Sequence, residues 1–130
     1  MKRVLGEEHP DIAVIYHNLA VVYKRQGELG KVEELYEKSL GIIERTFGDE
    51  HPDTAMGYNN LAGVYFSQKK YELALFYSIK AYKIFINKLG FGHPNTKIFR
   101  ANMEMIYTEW NPEGNFKHCL EERMKETGHN

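Results

Sequence analysis

Gly48-Asp49-Glu50-His51-Pro52-Asp53 is the stretch whose reading decides the fold. It has two relatives in the same chain, Gly6-Glu7-Glu8-His9-Pro10-Asp11 and Gly90-Phe91-Gly92-His93-Pro94-Asn95, and the three histidines stand 42 residues apart both times. A fixed period between about 20 and 50 residues is the signature of a repeat architecture. Taken alone, acids beside a histidine suggest a reactive site. Taken as a period, the stretch is punctuation. The glycine ends one helix. The proline opens the next, because its missing N–H and preset φ suit the first helical position. The histidine takes the cap position, and the acids favour the positive end of the helix dipole.

Outward from these marks the chain divides into helices. Between Asp11 and about Arg25 the apolar residues Ile12, Ile15, Tyr16, Leu19, Val22 and Tyr23 recur at helical steps. Gln26-Gly27-Glu28 interrupts them, and a second helix is expected from about Gly30 to Thr46. The next unit repeats the plan, with one helix from Pro52 to about Gln68, a turn at Lys69-Lys70, and a second helix from about Tyr71 to Leu89. A third begins at Pro94 and runs to about Trp110. There Asn111-Pro112-Glu113-Gly114 forms a strong turn with three inserted residues, and a short charged helix follows from about Phe116 to Thr127. Met1–Leu5 align with Ile43–Phe47 and Phe85–Leu89, so they read as the tail of a preceding unit. The expected division is 1–5 as that tail, 6–47 and 48–89 as full units, and 90–130 as a divergent third unit or cap. In that third unit Arg100 replaces a tyrosine, Met103 a leucine and Glu104 a small residue. A buried unpaired carboxylate is costly, so Glu104 should be either wetted or paired.

The chain has 130 residues with a net charge of −1, which gives no bulk attraction to nucleic acid or to anionic membrane. No apolar run approaches the roughly 20 residues of a spanning helix, and no signal-peptide pattern opens the sequence. The single cysteine, Cys119, excludes an internal disulfide. A cytoplasmic protein without cofactor or metal is expected. The periodic histidines lie on successive units, too far apart to share one ion. Cys119 falls in a small-residue core position, and its neighbour His118 points about 100° away on a helix. Glu33, Glu34, Glu37 and Lys38 read as solvated helix faces. No catalytic constellation is visible.

Tyr16-x-x-Leu19-Ala20-x-x-Tyr23 and Tyr58-x-x-Leu61-Ala62-x-x-Tyr65, each followed by a second helix with small residues such as Ala74 and Ala81, resemble the tetratricopeptide repeat. The usual unit has about 34 residues. A 42-residue unit with Gly-acidic-His-Pro-Asp junctions and Asn59-Asn60-Leu61-Ala62 is similar to the kinesin light chain type. The resemblance implies an all-α fold, a right-handed α-solenoid of three helix-turn-helix repeats with the third degenerate. It also implies a non-catalytic scaffold that binds a peptide or protein segment in a concave groove lined by the first helix of each repeat, with a protein or peptide as partner.

By the same resemblance, the residue before the motif leucine faces the groove. Here it is Asn18, Asn60 and Asn102, in one register. Asparagine is a poor helix former but offers both donor and acceptor to a peptide backbone; the alternative is that these residues tie neighbouring helices together. The period adds further rows: His17 with Asn59, Val14 with Met56 and Ile98, Val21 with Met105, and Lys24 and Arg25 with Phe66 toward one end. The positions that would need cations to capture a free carboxylate hold Val14, Ile98 and Asn102 instead, which argues against chaperone-tail binding. A second possibility is structural self-assembly, as a dimer or helix-swapped homo-oligomer. If the first unit lacks a neighbour, Ile12, Ile15, Tyr16, Leu19, Val22 and Tyr23 form an uncovered apolar face. A third is that the chain is part of a larger signalling protein.

Overall fold

The computed structural model describes residues 10–126. The expected tail at Met1–Leu5, the cap at His9 and the end of the last helix beyond Glu126 fall outside them. Six α-helices follow one another, α1 (Pro10–Arg25), α2 (Leu29–Phe47), α3 (Pro52–Ser67), α4 (Tyr71–Leu89), α5 (Pro94–Trp110) and α6 (Phe116–Glu126), with no strand among the described residues. The fold is an all-α helical repeat.

The repeated punctuation forms for the expected reasons. His51 Nδ1 accepts a hydrogen bond from Asp53 N at 3.0 Å, and His93 Nδ1 accepts one from Asn95 N at 3.1 Å. Each ring thus satisfies a first-turn N–H that has no partner inside its helix. Gly48 and Gly90 end α2 and α4 at φ of +87° and +84°, where a side chain would be strained. Their N–H groups donate to Glu44 O and Ile86 O at 2.8 and 2.9 Å. Within the helix pairs, the turn after α1 uses Gly27 at φ +78°, and the turn after α3 puts Lys69 in the same region at +63°.

Each helix packs mainly on its neighbours in sequence, α1 on α2, α2 on α3, α3 on α4 and α4 on α5. The core runs along this series. Ala20, Ala55, Ala62, Ala74 and Ala81 are buried where helices touch, and Leu61, Leu75, Tyr82 and Met103 fill the space between them. Burial of such side chains, each contributing about 1.5–3 kcal/mol, holds the helices together. The pair α5 and α6 is far more loosely packed than the other two. Phe116, Cys119, Leu120 and Met124 are the α6 residues on the core, and Cys119 is only partly buried.

The third pair accommodates its unusual residues. Met103 is buried as a leucine would be. Glu104 stays in solvent. Arg100 is exposed, with Nη1 donating to Tyr82 Oη at 3.3 Å and its guanidinium 5.5 Å from the centre of the Phe116 ring. One expectation gains detail. Of the charges read as solvated faces, Glu34 and Lys38 do form an exposed i,i+4 pair. Glu33, by contrast, pairs with Lys70 at 3.5 Å, and Glu37 accepts from Tyr65 Oη at 3.0 Å. Both reach across to the following helix pair, a contact that no local periodicity encodes.

Candidate functional site

A pocket of about 350 Å³ lies where α1, α2 and α3 meet. Val14 and His17 come from α1, Tyr36, Ile43 and Phe47 from α2, and Asp53, Met56, Gly57 and Asn60 from α3. The His17 ring lies 5.4 Å from that of Tyr36, centre to centre. Asn60 Nδ2 approaches His17 Nδ1 to 3.4 Å and donates to it when the imidazole proton is on Nε2. Burial pushes the Tyr36 phenol above its ordinary range. The walls are thus largely apolar, with an amide–imidazole pair and one carboxylate at the rim.

The next unit offers a comparison at two of the lining positions, although at Gly57 the Leu40 side chain already stands where a Cβ would point, 2.9 Å from it. Gly57 stands one period before Phe99, and Ile43 one period before Phe85. Between α4 and α5, the Phe85 and Phe99 rings meet edge-on with centres 4.5 Å apart, and both are buried. Between α2 and α3, the matching positions carry no ring.

A row of solvent-open apolar side chains crosses the same face. Val14, Met56 and Ile98, spaced by one period on α1, α3 and α5, are 57, 48 and 55 % exposed. Met105 is exposed on α5 and Val21 is half-buried on α1. Of the asparagine register, Asn18 is exposed, while Asn60 and Asn102 are half-buried, as is Asn59. Lys24 and Arg25 are exposed in the last turn of α1. Phe66 is partly buried on the core, its ring 5.6 Å from that of Tyr71. Of the expected groove residues, the pocket therefore gathers Val14, His17, Met56 and Asn60, and the others are spread along the three helices.

On the expected self-association face, Ile15, Leu19 and Val22 are exposed along α1. Their period partners Leu61 and Val64 on α3, and Phe99, Met103 and Ile106 on α5, are buried. Tyr16 and Tyr23 turn toward α2 instead, with the Lys38 and Lys31 ammonium groups 5.8 and 5.0 Å from their ring centres. Ile12 is half-buried.

A second feature, not anticipated from the sequence, ties the first helix pair to the second. Tyr58 Oη donates to Glu44 Oε2 at 2.6 Å, and Tyr65 Oη to Glu37 Oε2 at 3.0 Å. The Tyr77 ring lies between them, 5.9 and 5.8 Å from the two ring centres. Burial, and then the neighbouring carboxylates, hold the Tyr58 and Tyr65 phenols far above the usual tyrosine range.

No group of His, Cys, Asp or Glu among the described residues is arranged to hold a metal ion. Among them, no helix is long and apolar enough to cross a membrane.

A sequence profile described as tetratricopeptide repeat matches residues 1–42 and 11–87. Curated proteins give no match. Among solved structures, BtubC (BKLC) from P. vanneervenii is similar with a TM-score of 0.70 and 29% identity, over 78% of this chain and 40% of that one. A putative kinesin light chain from Podosopora anserina with nearly identical TPR-like repeats is similar with a TM-score of 0.74 and 25% identity, over 81% of this chain and 50% of that one. The match spans half or less of those longer chains.

Proposed function

We propose that this chain, which belongs to the tetratricopeptide repeat family and is of the kinesin light chain-like type, is a non-catalytic scaffold that holds a peptide or partner segment along α1, α3 and α5. Tetratricopeptide repeats are in general protein-interaction modules, so a surface rather than a reactive centre carries the function. The observation behind the groove reading is the row Val14, Met56 and Ile98, apolar on three helices in register and yet about half exposed. Side chains of this kind left in water favour contact with another apolar group. The amides of Asn18, Asn60 and Asn102 run one helical turn further along the same helices, and Lys24 and Arg25 make one end basic. An extended segment with alternating apolar and polar residues, acidic toward the α1 end, fits that pattern.

A random peptide library panned on the immobilised chain tests the reading directly. Recovered sequences should share apolar anchors, and their binding should fall about tenfold or more on Met56→Asp or Ile98→Asp. Replacing Asn60 and Asn102 by Ala should weaken peptide capture while the thermal midpoint stays nearly unchanged. A large drop in that midpoint would assign the amides to helix packing.

One further observation favours self-assembly as the alternative. Ile15, Leu19 and Val22 stay exposed where the matching α5 residues Phe99, Met103 and Ile106 are covered by the preceding helix pair. Light scattering on eluting protein would show a mass above 15.2 kDa that falls on Leu19→Lys if this face pairs.

A further inference from the structure

The pocket beside Gly57 has its own template inside the molecule. At the corresponding place between α4 and α5, the space is taken by the Phe99 ring, seated edge-on against Phe85 at 4.5 Å and only 6 % exposed. At the first place Ile43 replaces Phe85 and Gly57 replaces Phe99, so the lining stays apolar while the ring is missing. The pocket holds about 350 Å³. A cavity of about 150 Å³ already accepts benzene, so there is room for a phenyl group and part of the backbone that delivers it.

The same chain carries a ring out of place. The turn between α4 and α5 reads Gly90-Phe91-Gly92, where the two sister turns have Asp49 and Glu7 at the middle position. An acid there favours the N-terminus of the next helix; a phenylalanine does not. Phe91 is 67 % exposed, more than any other large apolar residue described. Its flanking glycines stand clear of the rest of the molecule, because a Cβ added at either would meet nothing within 4 Å. Phe91 is therefore a ring on a narrow, unencumbered tip, while the Gly57 pocket is an apolar recess whose internal counterpart is filled by the same side chain.

We infer that Phe91 of one molecule seats in the Ile43–Gly57 pocket of a second copy. The contact is heterologous, a knob from one surface entering a socket on another. Copies therefore add head to tail, into a ring if the rotation closes and an open chain if it does not. Val14 and Met56, both half-exposed at the pocket mouth, would be covered as the tip enters. Val14, Met56 and Asn60 also belong to the proposed peptide row, so a seated Phe91 and a captured peptide compete for the same surface.

Multi-angle light scattering over a concentration series of the full chain tests this. The wild-type mass should rise above 15.2 kDa with concentration. Phe91→Asp, which restores the acid of the sister turns, should remain monomeric, with self-affinity lowered about tenfold or more. Gly57→Phe fills the socket and should also remain monomeric. An added Cβ there lies 2.9 Å from Leu40 Cδ1, so Leu40 must shift, and circular dichroism is the check that this variant folds. Mixed together, the two variants should form a heterodimer and stop, since one keeps the socket and the other the knob. A measurement that does not depend on Gly57→Phe is the Ile43 methyl resonance. It should shift as wild-type protein is concentrated and stay fixed in Phe91→Asp. A wild-type chain that stays monomeric throughout overturns the inference, as does a fixed Ile43 methyl. Association that survives Phe91→Asp but is lost in Leu19→Lys also overturns it, by placing the contact on the exposed stripe of α1.

Discussion

Where α2 meets α3, Glu44 and Glu37 accept hydrogen bonds from Tyr58 and Tyr65. Where α4 meets α5, the corresponding residues are Ile86, Ile79, Arg100 and Tyr107, and the Phe85–Phe99 ring pair holds the interface. The helices around the two junctions follow one pattern and one period. Both junctions carry cross-helix hydrogen bonds, Arg100 Nη1 to Tyr82 Oη being one at the second, but the tyrosine–carboxylate bonds and the pocket belong to the first and the Phe85–Phe99 ring pair to the second. Backbone repetition therefore does not dictate how neighbouring units are joined. Hydrogen bonds contribute through orientation and leave space beside them, whereas packing contributes by filling it. The open pocket belongs to the first solution.

The largest expected effect lies at the packed junction. Phe99→Ala should cost about 3–5 kcal/mol, because it removes a buried ring and leaves a cavity that its neighbours only partly close. The midpoint of urea unfolding measures it. A cost below about 1 kcal/mol would mean that the second junction does not depend on ring packing, and the contrast would fail.

At the first junction Tyr58→Phe should cost less, about 1–2 kcal/mol, because it removes one hydrogen bond to a charged acceptor and keeps the ring. The coupling belongs to the pair, so a double-mutant cycle with Glu44→Gln should recover most of it. Additive single effects would show that the two groups do not cooperate.

The smallest effect concerns alkaline pH. The Tyr58 and Tyr65 phenols are raised in the folded chain, first by burial and then by Glu44 and Glu37. Their contribution is whole below the unfolded tyrosine value, near 10, and is lost as pH rises through the higher folded value. Thermal stability should therefore fall above about pH 10, by about 1 kcal/mol or less per tyrosine at about pH 10.5. The Tyr58→Phe, Tyr65→Phe double variant should lose less over that window than the wild type. An unchanged slope would remove the tyrosine–glutamate bonds from the account.

Much of the fold was legible because its signals are local. Glycine, histidine and proline at the unit boundaries predict α4 and α5 to the residue, and misplace only the start and end of α2 and the end of α3 by one. The cost of burying a carboxylate left Glu104 either wetted or paired, and it is exposed. The roles of Glu33 and Glu37 were not legible, since their partners lie across the junction to the next helix pair. The pocket was nearly legible. Gly57 and Phe99 share a register, but only the packing of α2 against α3 turns a missing ring into a space. Phe66 shows a contact that the period does not encode. A position read as groove-lining by period rests partly on the core, because its ring finds Tyr71.

Each helix rests mainly on the helices next to it in sequence, so the molecule is connected in series. Small rotations at successive junctions add up along the array while each local contact changes little, in the manner of a coiled spring. The compliance is not uniform. A junction filled with interlocked rings resists deformation, whereas one with a void beside its bonds can close or open around them. Bending should therefore concentrate at the α2–α3 junction, where the Gly57 pocket leaves room for it.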